Sequence, residues 1–477
     1  MPLRTPEQYF ASLKDERRVF YRGQRVPDVL AHPVIGLATR HAAIDYEMAE
    51  DPAYRDLAVV DGTSRYYVPP KSADDLLARS RLIETATRLG GTLVVLIKEI
   101  GTDALFGLSI VAQQMDRKLG TDYRRRVQDF HRFCAEQDLA LAVAQTDVKG
   151  DRSLGPAEQA ARGNPDAYLR IVERRPDGIV VRGAKAHTSV STNANELIIL
   201  PTRAMTEADA DYAVSFAIPM DSPGLTLIAS PHGGSEKNAF EHPIAARHKM
   251  METTTIFDDV FVPNERVFMA GEWQFAGPLA LTFVEFHRFT AVSYKLPLVD
   301  ALVATALLLA EYNGIDRAGH VRDKLSWLIA YAEGLRALTH MAAYRSAVHA
   351  PGIAVPDPLT VNTAKLHFAS NYHQAIARVQ DIAGGLLVTG PAEEDLASPE
   401  LGEAIRRYLG GKIGVETEAR LRALNLVSDL TASDYGGYQE VLAIHAEGSI
   451  EAEKLTILRN YDHASAKTYA KGLAGIA

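Results

Sequence analysis

Cysteine is almost absent from this chain of 477 residues, in which Cys134 is the only one. A single thiol excludes an internal disulfide framework and a metal site built from several thiolates. A basic excess is also missing, because the formal net charge is −9, and this argues against a nucleic-acid partner. No Gly-x-Gly-x-x-Gly fingerprint follows a predicted strand, so we do not expect NAD(P)H to reduce a cofactor within this chain.

Long apolar runs are lacking as well. The most apolar stretch, 298–310, contains Asp300 and is much shorter than the roughly 20 residues that a bilayer span requires. The N-terminal sequence Met-Pro-Leu-Arg-Thr-Pro-Glu has no apolar run of signal-peptide length. We therefore expect a cytoplasmic protein without a membrane partner, in which 298–310 is a core helix.

The periodicity of the apolar residues changes twice along the chain. It is mostly helical up to residue 140, typical of strands from 141 to 272, and helical again from 273 onwards. We predict an α+β fold with an N-terminal helical domain at 1–140, a middle β barrel at 141–272 and a C-terminal helical bundle at 273–477. The main predicted helices are 72–89, 102–118, one starting at 121, 295–313, 316–350, 358–388 and 415–431. The predicted strands are 139–143, 168–172, 178–182, 197–200, 213–218, 225–228 and 254–262.

Two polar segments frame one predicted hairpin. The first, Thr-Asp-Val-Lys-Gly-Asp-Arg-Ser at 146–153, is a turn that Gly150 makes possible and to which Lys149 and Arg152 add positive charge. The second, Arg-Gly-Ala-Lys-Ala-His-Thr-Ser at 182–189, ends a strand that follows a Pro-Asp-Gly turn. Backbone N–H groups beside cations can receive a pyrophosphate or the electron-rich edge of a ring. A solvated basic loop has the same composition, but two such segments at one hairpin favour a binding site.

Four motifs spread over nearly the whole chain are informative in combination. They read Asp-Val-Lys-Gly-Asp-Arg-Ser at 147–153, Gly-Ile-Val-Val-Arg-Gly-Ala-Lys at 178–185, Ile-Phe-Asp-Asp-Val-Phe-Val-Pro-Asn-Glu-Arg at 256–266 and Ser-Asp-Tyr-Gly-Gly at 433–437. Together they resemble the 4-hydroxyphenylacetate 3-hydroxylase and 4-hydroxybutyryl-CoA dehydratase superfamily of acyl-CoA dehydrogenase-like flavoenzymes. The resemblance implies FAD, used as FADH2 and held non-covalently between the β domain and the helices, and a homotetramer.

The same resemblance implies which residues contact the flavin. The strand end at 143–146, the turn at 149–153 and residues 187–189 would run along it, and the loop 445–449 would complete the site. For His187, a strand-end histidine bonded to the backbone is an equally good interpretation. The expected cofactor-binding residues are Val143, Gln145, Thr146, Lys149, Gly150, Asp151, Arg152, Ser153, Lys185, His187, Thr188, Ser189, Glu447, Gly448 and Ser449.

This sequence departs from the superfamily at the substrate positions. The phenol hydroxylases of the superfamily place an arginine, a tyrosine and a histidine around the substrate. The matching residues in this sequence are Ile100, Ala104 and Val143. We expect these three to contact the substrate, but none of them can deprotonate a phenol. A less acidic or differently anchored small substrate is implied.

The cluster positions also differ. The CoA dehydratases of the superfamily hold an iron–sulfur cluster with three cysteines and a histidine. The cysteine positions here are Val95, Glu99 and Tyr294, whereas the histidine is present as His287. We therefore expect no iron–sulfur cluster and no other metal site.

Several ionisable residues of the dehydratase-like site are nevertheless present. Glu252, His287 and Lys295 match an acid–base glutamate, the cluster histidine and a neighbouring lysine, and Arg288 and Tyr294 lie close by in sequence. His287 and Tyr294 are seven residues apart and share one helix face. We predict these five as catalytic residues, with a polar layer between bundle and β domain as the alternative.

Three functions follow from these observations. The first is a two-component monooxygenase that receives FADH2 from a separate flavin reductase and hydroxylates a small aromatic or heteroaromatic substrate through a flavin C4a-hydroperoxide. The second is a cluster-free acyl-CoA dehydratase or double-bond isomerase that uses Glu252 and His287. The third, a flavin-binding subunit without activity, leaves the clustered ionisable residues without a role.

Overall fold

The computed structural model describes residues 3–234 and 236–476. The first and last parts of the chain are mostly helical, and the middle part contains most of the strands. The helices are α1 (Pro6–Ala11), α2 (Pro33–Ala42), α3 (Ile44–Glu50), α4 (Arg55–Ala58), α5 (Ala73–Leu89), α6 (Glu99–Leu119), α7 (Tyr123–Glu136), α8 (Pro156–Ala161), α9 (Trp273–Tyr312), α10 (Gly319–Tyr344), α11 (Pro358–Ala383), α12 (Leu386–Thr389), α13 (Glu393–Ala397), α14 (Gly402–Tyr408), α15 (Thr417–Thr431), α16 (Asp434–His445), α17 (Ile450–Asn460) and α18 (His463–Ala474). The strands are β1 (Val19–Tyr21), β2 (Gln24–Val26), β3 (Val59–Val60), β4 (Thr63–Ser64), β5 (Leu141–Ala144), β6 (Arg170–Arg175), β7 (Gly178–Ser189), β8 (Glu196–Ile199), β9 (Val214–Pro219), β10 (Leu225–Ala229), β11 (Glu252–Pro263), β12 (Val267–Ala270), β13 (Ala347–His349) and β14 (Ile353–Val355).

The N-terminal helices begin and end at the residues that local chemistry favours. The Ser72 hydroxyl accepts a hydrogen bond from the backbone N–H of Asp75 and caps α5. Helix α6 ends where Gly120 takes a left-handed conformation with φ of 73°. Almost every side chain of α6 up to Met115 is buried, so this helix is the centre of the N-terminal layer.

The middle of the chain forms two open sheets and not a closed barrel, which corrects the predicted architecture. One sheet has the strand order β2-β1-β10-β11-β7-β6, and the other has the order β12-β9-β8-β5. The end strands of each sheet do not pair with each other, so neither sheet closes. Phe216 of β9 and Phe257 of β11 meet edge to face across the two sheets, with ring centroids 6.2 Å apart.

The larger sheet includes two strands from outside the predicted β segment. Strand β1 lies parallel to β10 with Val19 opposite Leu227, and β2 pairs with β1. The first 140 residues are therefore not purely helical, because their initial hairpin extends a sheet of the middle segment. Such three-residue strands have too little alternation to be recognised from sequence.

Helix α9 organises the C-terminal part. It runs for 40 residues from Trp273, 22 residues before the predicted start, and contains Pro278 and Pro297. By length and composition it could cross a membrane, but 67% of its most apolar window is buried inside the protein. It is a core helix against which α5, α6, α10, α11 and α15 pack.

Candidate functional site

The two polar segments that frame the hairpin meet in the structure. The backbone N–H of Ala186 donates to the carbonyl of Thr146 at 2.9 Å, and Asp147 forms an antiparallel bridge with Lys185. The end of β5 and the end of β7 therefore form one continuous edge. This edge faces α9, where the amide nitrogen of Gln145 lies 3.5 Å from the Ala280 carbonyl.

The side chain of Lys185 holds this edge together from inside the protein. Its ammonium group is buried and lies 2.9 Å from Asp147 Oδ1, 2.9 Å from the Gln145 carbonyl and 3.1 Å from the Leu200 carbonyl. These three contacts use all three N–H donors of a lysine. Lys185 therefore fixes the loop that follows β5, and its predicted contact with a cofactor stays a prediction.

The turn at 149–153 is held in shape by side chains within it and by the side chain of Gln159 on α8. Lys149 and Gly150 take positive φ angles of 75° and 50°. The amide of Gln159 donates to the Lys149 carbonyl at 2.8 Å and accepts from the Asp151 N–H at 3.0 Å. Asp151 in turn accepts from the hydroxyl of Ser153 at 2.7 Å. Asp151 and Ser153 thus shape the turn, and a side chain at position 150 would collide with Gln159 Oε1.

This turn carries a concentration of positive charge. Burial, together with the charges of Arg152 and Arg203, lowers the pKa of Lys149, and Asp147 opposes that shift. Asp147 is already paired with Lys185. The backbone N–H groups of Lys149, Asp151 and Ser153 already donate to the Ala167 carbonyl, Gln159 Oε1 and Asp151 Oδ1. The three cations beside the turn have the charge that binds a diphosphate, so their side chains fit the pyrophosphate of a dinucleotide such as FAD.

An apolar wall lies next to the strand end. Ile100 and Ala104 on α6 and Val143 on β5 are all buried. Helix α6 packs directly on β5, because a methyl group on Gly101 would lie 2.2 Å from Leu141 Cβ. The three predicted substrate residues are thus in neighbouring elements and present no hydrogen-bonding side chain.

The C-terminal end of β7 lies beside a chain of hydroxyl groups and the carboxyl group of Glu252 on the neighbouring strand β11. Thr188 is fully buried, and its hydroxyl accepts from that of Thr255 at 3.0 Å. Ser189 Oγ lies 3.0 and 2.9 Å from the two carboxylate oxygens of Glu252 and donates its single proton to this carboxylate. The Tyr438 hydroxyl of α16 donates to the same carboxylate at 2.9 Å. His187 is exposed at a β-bulge with φ of 58°.

Glu252 faces a cavity of about 60 Å³ between the sheet and α16. Burial raises its pKa to about 7, although the hydrogen bonds from Ser189 and Tyr438 lower it. A carboxyl group with this pKa can both take up and release a proton near neutral pH. The other residues around the cavity combine apolar and charged side chains and include Leu93, His248, Lys249, Met250, Met251 and Tyr435.

His287 belongs to a different hydrogen-bond network. Its Nδ1 lies 3.1 Å from Asp103 Oδ2, and its ring stacks on Phe283 with centroids 5.1 Å apart. The other oxygen of Asp103 accepts from Arg79 at 2.8 Å and from Thr290 at 3.1 Å. Because Glu252 bonds to Ser189 and Tyr438, the structure holds the two predicted acid–base residues in separate networks.

The remaining predicted catalytic residues surround the loop 446–449. Lys295 lies 3.0 Å from Glu447 Oε2 and 3.1 Å from the Tyr294 hydroxyl, which also bonds to Glu447. Burial raises the pKa of Glu447 well above its usual value and lowers that of Lys295 well below it. Arg288 donates to the Glu447 carbonyl at 3.2 Å. These contacts give all four side chains a part in positioning the loop.

The two ends of this loop are fixed differently. Gly448 has φ of 106°, and a side chain there would lie 2.6 Å from Arg288 Nη2. The hydroxyl of Ser449 accepts from the N–H of Ala452 and caps α17. The loop can therefore lie this close to Arg288 of α9 only because residue 448 is a glycine and has no side chain.

Sequence reasoning missed Asp103, Arg79 and Tyr438. Asp103 is the carboxylate within the mostly apolar stretch 100–112 of α6, and this contrast could have drawn attention to it. Tyr438 carries no such signal, because nothing near it in sequence indicates that it reaches Glu252.

Cys134 is buried in α7, and burial raises the pKa of its thiol well above the usual value. Within 3–234 and 236–476, no group of three or more His, Cys, Asp or Glu side chains is placed to hold a metal ion.

The sequence profiles of one family match almost the whole chain. The profile described as "4-hydroxyphenylacetate 3-hydroxylase N terminal" covers residues 5–269, and the one described as "4-hydroxyphenylacetate 3-hydroxylase C terminal" covers 276–475. The chain belongs to the 4-hydroxyphenylacetate 3-hydroxylase family. The superfamily predicted from the four motifs is confirmed.

Characterised members of this family differ in what they catalyse. A 4-hydroxybutyryl-CoA dehydratase/vinylacetyl-CoA-Δ-isomerase of Clostridium aminobutyricum is 35% identical over 99% of this chain and 100% of its own. The oxygenase component of 4-hydroxyphenylacetate 3-monooxygenase of Thermus thermophilus is 29% identical over 92% of this chain and 90% of its own. Sequence similarity alone therefore places the chain near both activities.

Solved structures of the family show the same fold. An oxygen-tolerant archaeal 4-hydroxybutyryl-CoA dehydratase from N. maritimus superposes with a TM-score of 0.92 at 31% identity, over 100% of this chain and 95% of its own. The oxygenase component of 4-hydroxyphenylacetate 3-monooxygenase complexed with FAD superposes with a TM-score of 0.88 at 26% identity, over 98% of both chains. The cation-rich turn and the apolar wall thus lie in a family fold that accommodates FAD.

Proposed function

We propose that this protein is the oxygenase component of a two-component, FADH2-dependent monooxygenase that hydroxylates a small aromatic or heteroaromatic substrate. The observation that carries the proposal is the cation-rich turn, Lys149 and Arg152 with Arg203, which follows the strand β5 that contributes Val143 to the apolar wall. Reduced FAD, when bound, supplies the two electrons that activate molecular oxygen. Family members whose names describe such oxygenases support this assignment.

Each element has a distinct task in this proposal. Lys149, Arg152 and Arg203 neutralise the pyrophosphate through their charged side chains. The apolar wall keeps water from the reacting oxygen and receives a substrate that needs no ionised anchor. Tyr294, Lys295, Arg288 and Glu447 hold the loop 446–449 against α9. His287, paired with Asp103 through Nδ1, holds or moves a proton at its other ring nitrogen, Nε2.

The proposal requires two kinds of protein partner. A separate flavin reductase supplies FADH2, because the sequence has no nicotinamide-binding fingerprint. A homotetramer would cover the apolar side chains that the last three helices expose. Among them are Val441, Leu458, Tyr469 and Leu473, each at least 60% exposed in the isolated chain.

Rapid mixing with oxygen tests the proposal. The protein is first mixed anaerobically with reduced FAD and then with oxygenated buffer, while dissolved oxygen and oxidised-flavin absorbance are followed together. We expect oxygen to be consumed before the absorbance of oxidised FAD returns. Simultaneous oxygen use and reoxidation, at the rate of free reduced FAD, would reject the proposal. The Lys149→Met/Arg152→Met variant should behave like free flavin, and Arg162→Met, a change at a nearby exposed arginine, should behave like the wild type.

A second candidate function is a double-bond isomerisation of an acyl-CoA. The pKa of about 7 for Glu252 favours it, as does the name of the 35% identical relative. In such a reaction a base removes a proton from C2 of a 3-enoyl thioester and an acid returns one to C4, so that the double bond moves into conjugation. Incubation with vinylacetyl-CoA in D2O under argon tests it. Conversion to the conjugated isomer with deuterium at C4, abolished in Glu252→Gln, would support this function over the first.

A further inference from the structure

Two histidine rings meet beside the Glu252 cavity, outside the residues assigned above. His41 on α2 and His248 on the segment before β11 approach with their Nδ1 atoms 3.2 Å apart. The Nε2 of His41 lies 3.0 Å from the carbonyl of Val94. His248 lines the same cavity as Glu252, and it also lines an outer groove with His41 and Arg247.

The contacts of His41 determine its tautomer. A carbonyl oxygen can only accept, so Nε2 of His41 carries the proton that points to Val94. Burial lowers the pKa of His41 to about 4, which leaves the ring neutral at pH 7 with a single N–H. Its Nδ1 is therefore an acceptor.

The tautomer of His248 follows from that of His41. Because Nδ1 of His41 accepts, Nδ1 of His248 must carry the proton that joins the two rings. Burial and the charge of Arg247 lower the pKa of His248 as well, so this ring is also neutral. Its Nε2 then has a lone pair, and within the described residues this atom has no hydrogen-bond partner.

The ring edge that carries that nitrogen packs against the backbone of Gly91. Gly91 has φ of 62°, and a side chain on it would lie 2.7 Å from Cδ2 and 3.1 Å from Nε2 of His248. A glycine at this position lets the ring edge lie against the backbone without being covered by a side chain.

We propose that His248 is a hydrogen-bond-accepting residue of the Glu252 cavity, held by His41 in the tautomer whose Nε2 accepts a hydrogen bond from an O–H or N–H group of a bound ligand. The tautomer itself is independent of the proposed function, and only the use of Nε2 by a substrate rests on that function. Leu93, Met250 and Met251 give the cavity apolar walls, and Lys249 and Asp434 add charged groups to its lining, so the ligand has an apolar body and one donor that reaches Nε2.

Nitrogen-15 NMR of the sedimented, histidine-labelled protein tests the tautomer. The His248 signals are identified by their loss in His248→Gln. At pH 7 we expect a protonated Nδ1 and an unprotonated Nε2. In His41→Leu, which removes the acceptor, the Nε2-protonated form should appear. In His41→Asn, whose side-chain oxygen can replace the acceptor, the wild-type pattern should return. An Nε2-protonated His248 in the wild type would overturn the proposal, whatever the variants do.

The ligand class is tested with a matched pair of probes on the flavin-free protein. 2-Phenylethanol carries a donor, whereas its methyl ether has the same apolar body without one. We expect the alcohol to displace the Nε2 resonance of His248 and the ether to leave it in place. Failure of the alcohol to move this resonance at saturating concentration overturns the ligand assignment. These measurements need no reaction with oxygen, so their failure is distinguishable from a failure of the proposed function.

Discussion

Ser189 Oγ lies within 3.0 Å of both carboxylate oxygens of Glu252, its direct neighbour across the pair β7–β11. A hydroxyl group has one proton and can satisfy only one of these oxygens at a time. The Tyr438 hydroxyl reaches Oε1, and the rest of the carboxyl group faces a largely apolar cavity. This arrangement explains why burial outweighs the two hydrogen bonds and raises the pKa of Glu252.

The first prediction concerns stability against pH. A carboxyl group whose pKa rises on folding favours the folded state below its unfolded pKa, and this contribution is lost as the pH rises through the folded pKa. For Glu252 the window runs from 4.5 to about 7. Replacement by glutamine should leave a protein that is more stable than the wild type above pH 7, by about 2 kcal/mol after allowance for water in the cavity. Urea unfolding at several pH values measures the difference, and Glu136→Gln, at an exposed carboxylate, should show no such window. An unchanged pH slope in Glu252→Gln would contradict the assignment.

The second prediction concerns FAD binding. Removal of the charge in Arg152→Met should weaken FAD binding about tenfold, because one charge-assisted contact to phosphate is lost. The loss should shrink as salt is added, since screening weakens the same contact in the wild type. Fluorescence titration at two salt concentrations measures both effects. Arg162→Met provides the control, and an equal loss in that variant would show that the turn has no special role.

The third prediction separates support from binding at Lys185. In Lys185→Met the buried carboxylate of Asp147 loses its cation, and the free energy of unfolding should fall by about 3–5 kcal/mol. The exposed pair of Arg182 and Asp259 provides the comparison, and Arg182→Met should cost less than about 1 kcal/mol. Chemical denaturation without FAD measures both. A Lys185→Met variant of normal stability that fails to bind FAD would instead support the predicted direct contact of Lys185 with the cofactor.

The fourth prediction concerns the pair of His287 and Asp103. Asp103→Asn removes the carboxylate that orients the ring, and turnover should fall by about 10²-fold or more, as should that of His287→Gln. FAD affinity should be unaffected, because neither residue lies on the turn at 149–153. Thr290→Val, which removes only a neutral hydrogen bond to Asp103, should be much less affected. Substrate-dependent oxygen use and a parallel FAD titration distinguish these outcomes from misfolding.

Local chemistry made much of the secondary structure predictable. The cap at Ser72 and the glycines at 90 and 120 bound helices close to the predicted limits. The strands predicted at 197–200, 213–218 and 225–228 correspond to β8, β9 and β10, and their observed ends differ from the predicted ones by about one residue. The long start of α9 escaped prediction because Pro278 breaks the usual helix signal.

The site was only partly predictable. The two polar segments that frame the hairpin could be paired because the hairpin itself connects them. The contacts of Asp103 with His287 and of Glu252 with Tyr438 join residues 184 and 186 positions apart, and no periodicity reports on such pairs. The role of Lys185 could not be read from its motif, because it depends on three acceptors that only the folded chain supplies.

The parallel pairing of β1 with β10 has a consequence for biosynthesis. Val19 acquires its neighbour Leu227 only after more than two hundred further residues have been translated. Until then the edge of β1 that later pairs with β10 has unpaired backbone N–H and C=O groups while the chain is still on or near the ribosome. Completion of the six-stranded sheet is thus a late and non-local event, and a nascent chain halted before β10 emerges would be a target for chaperones.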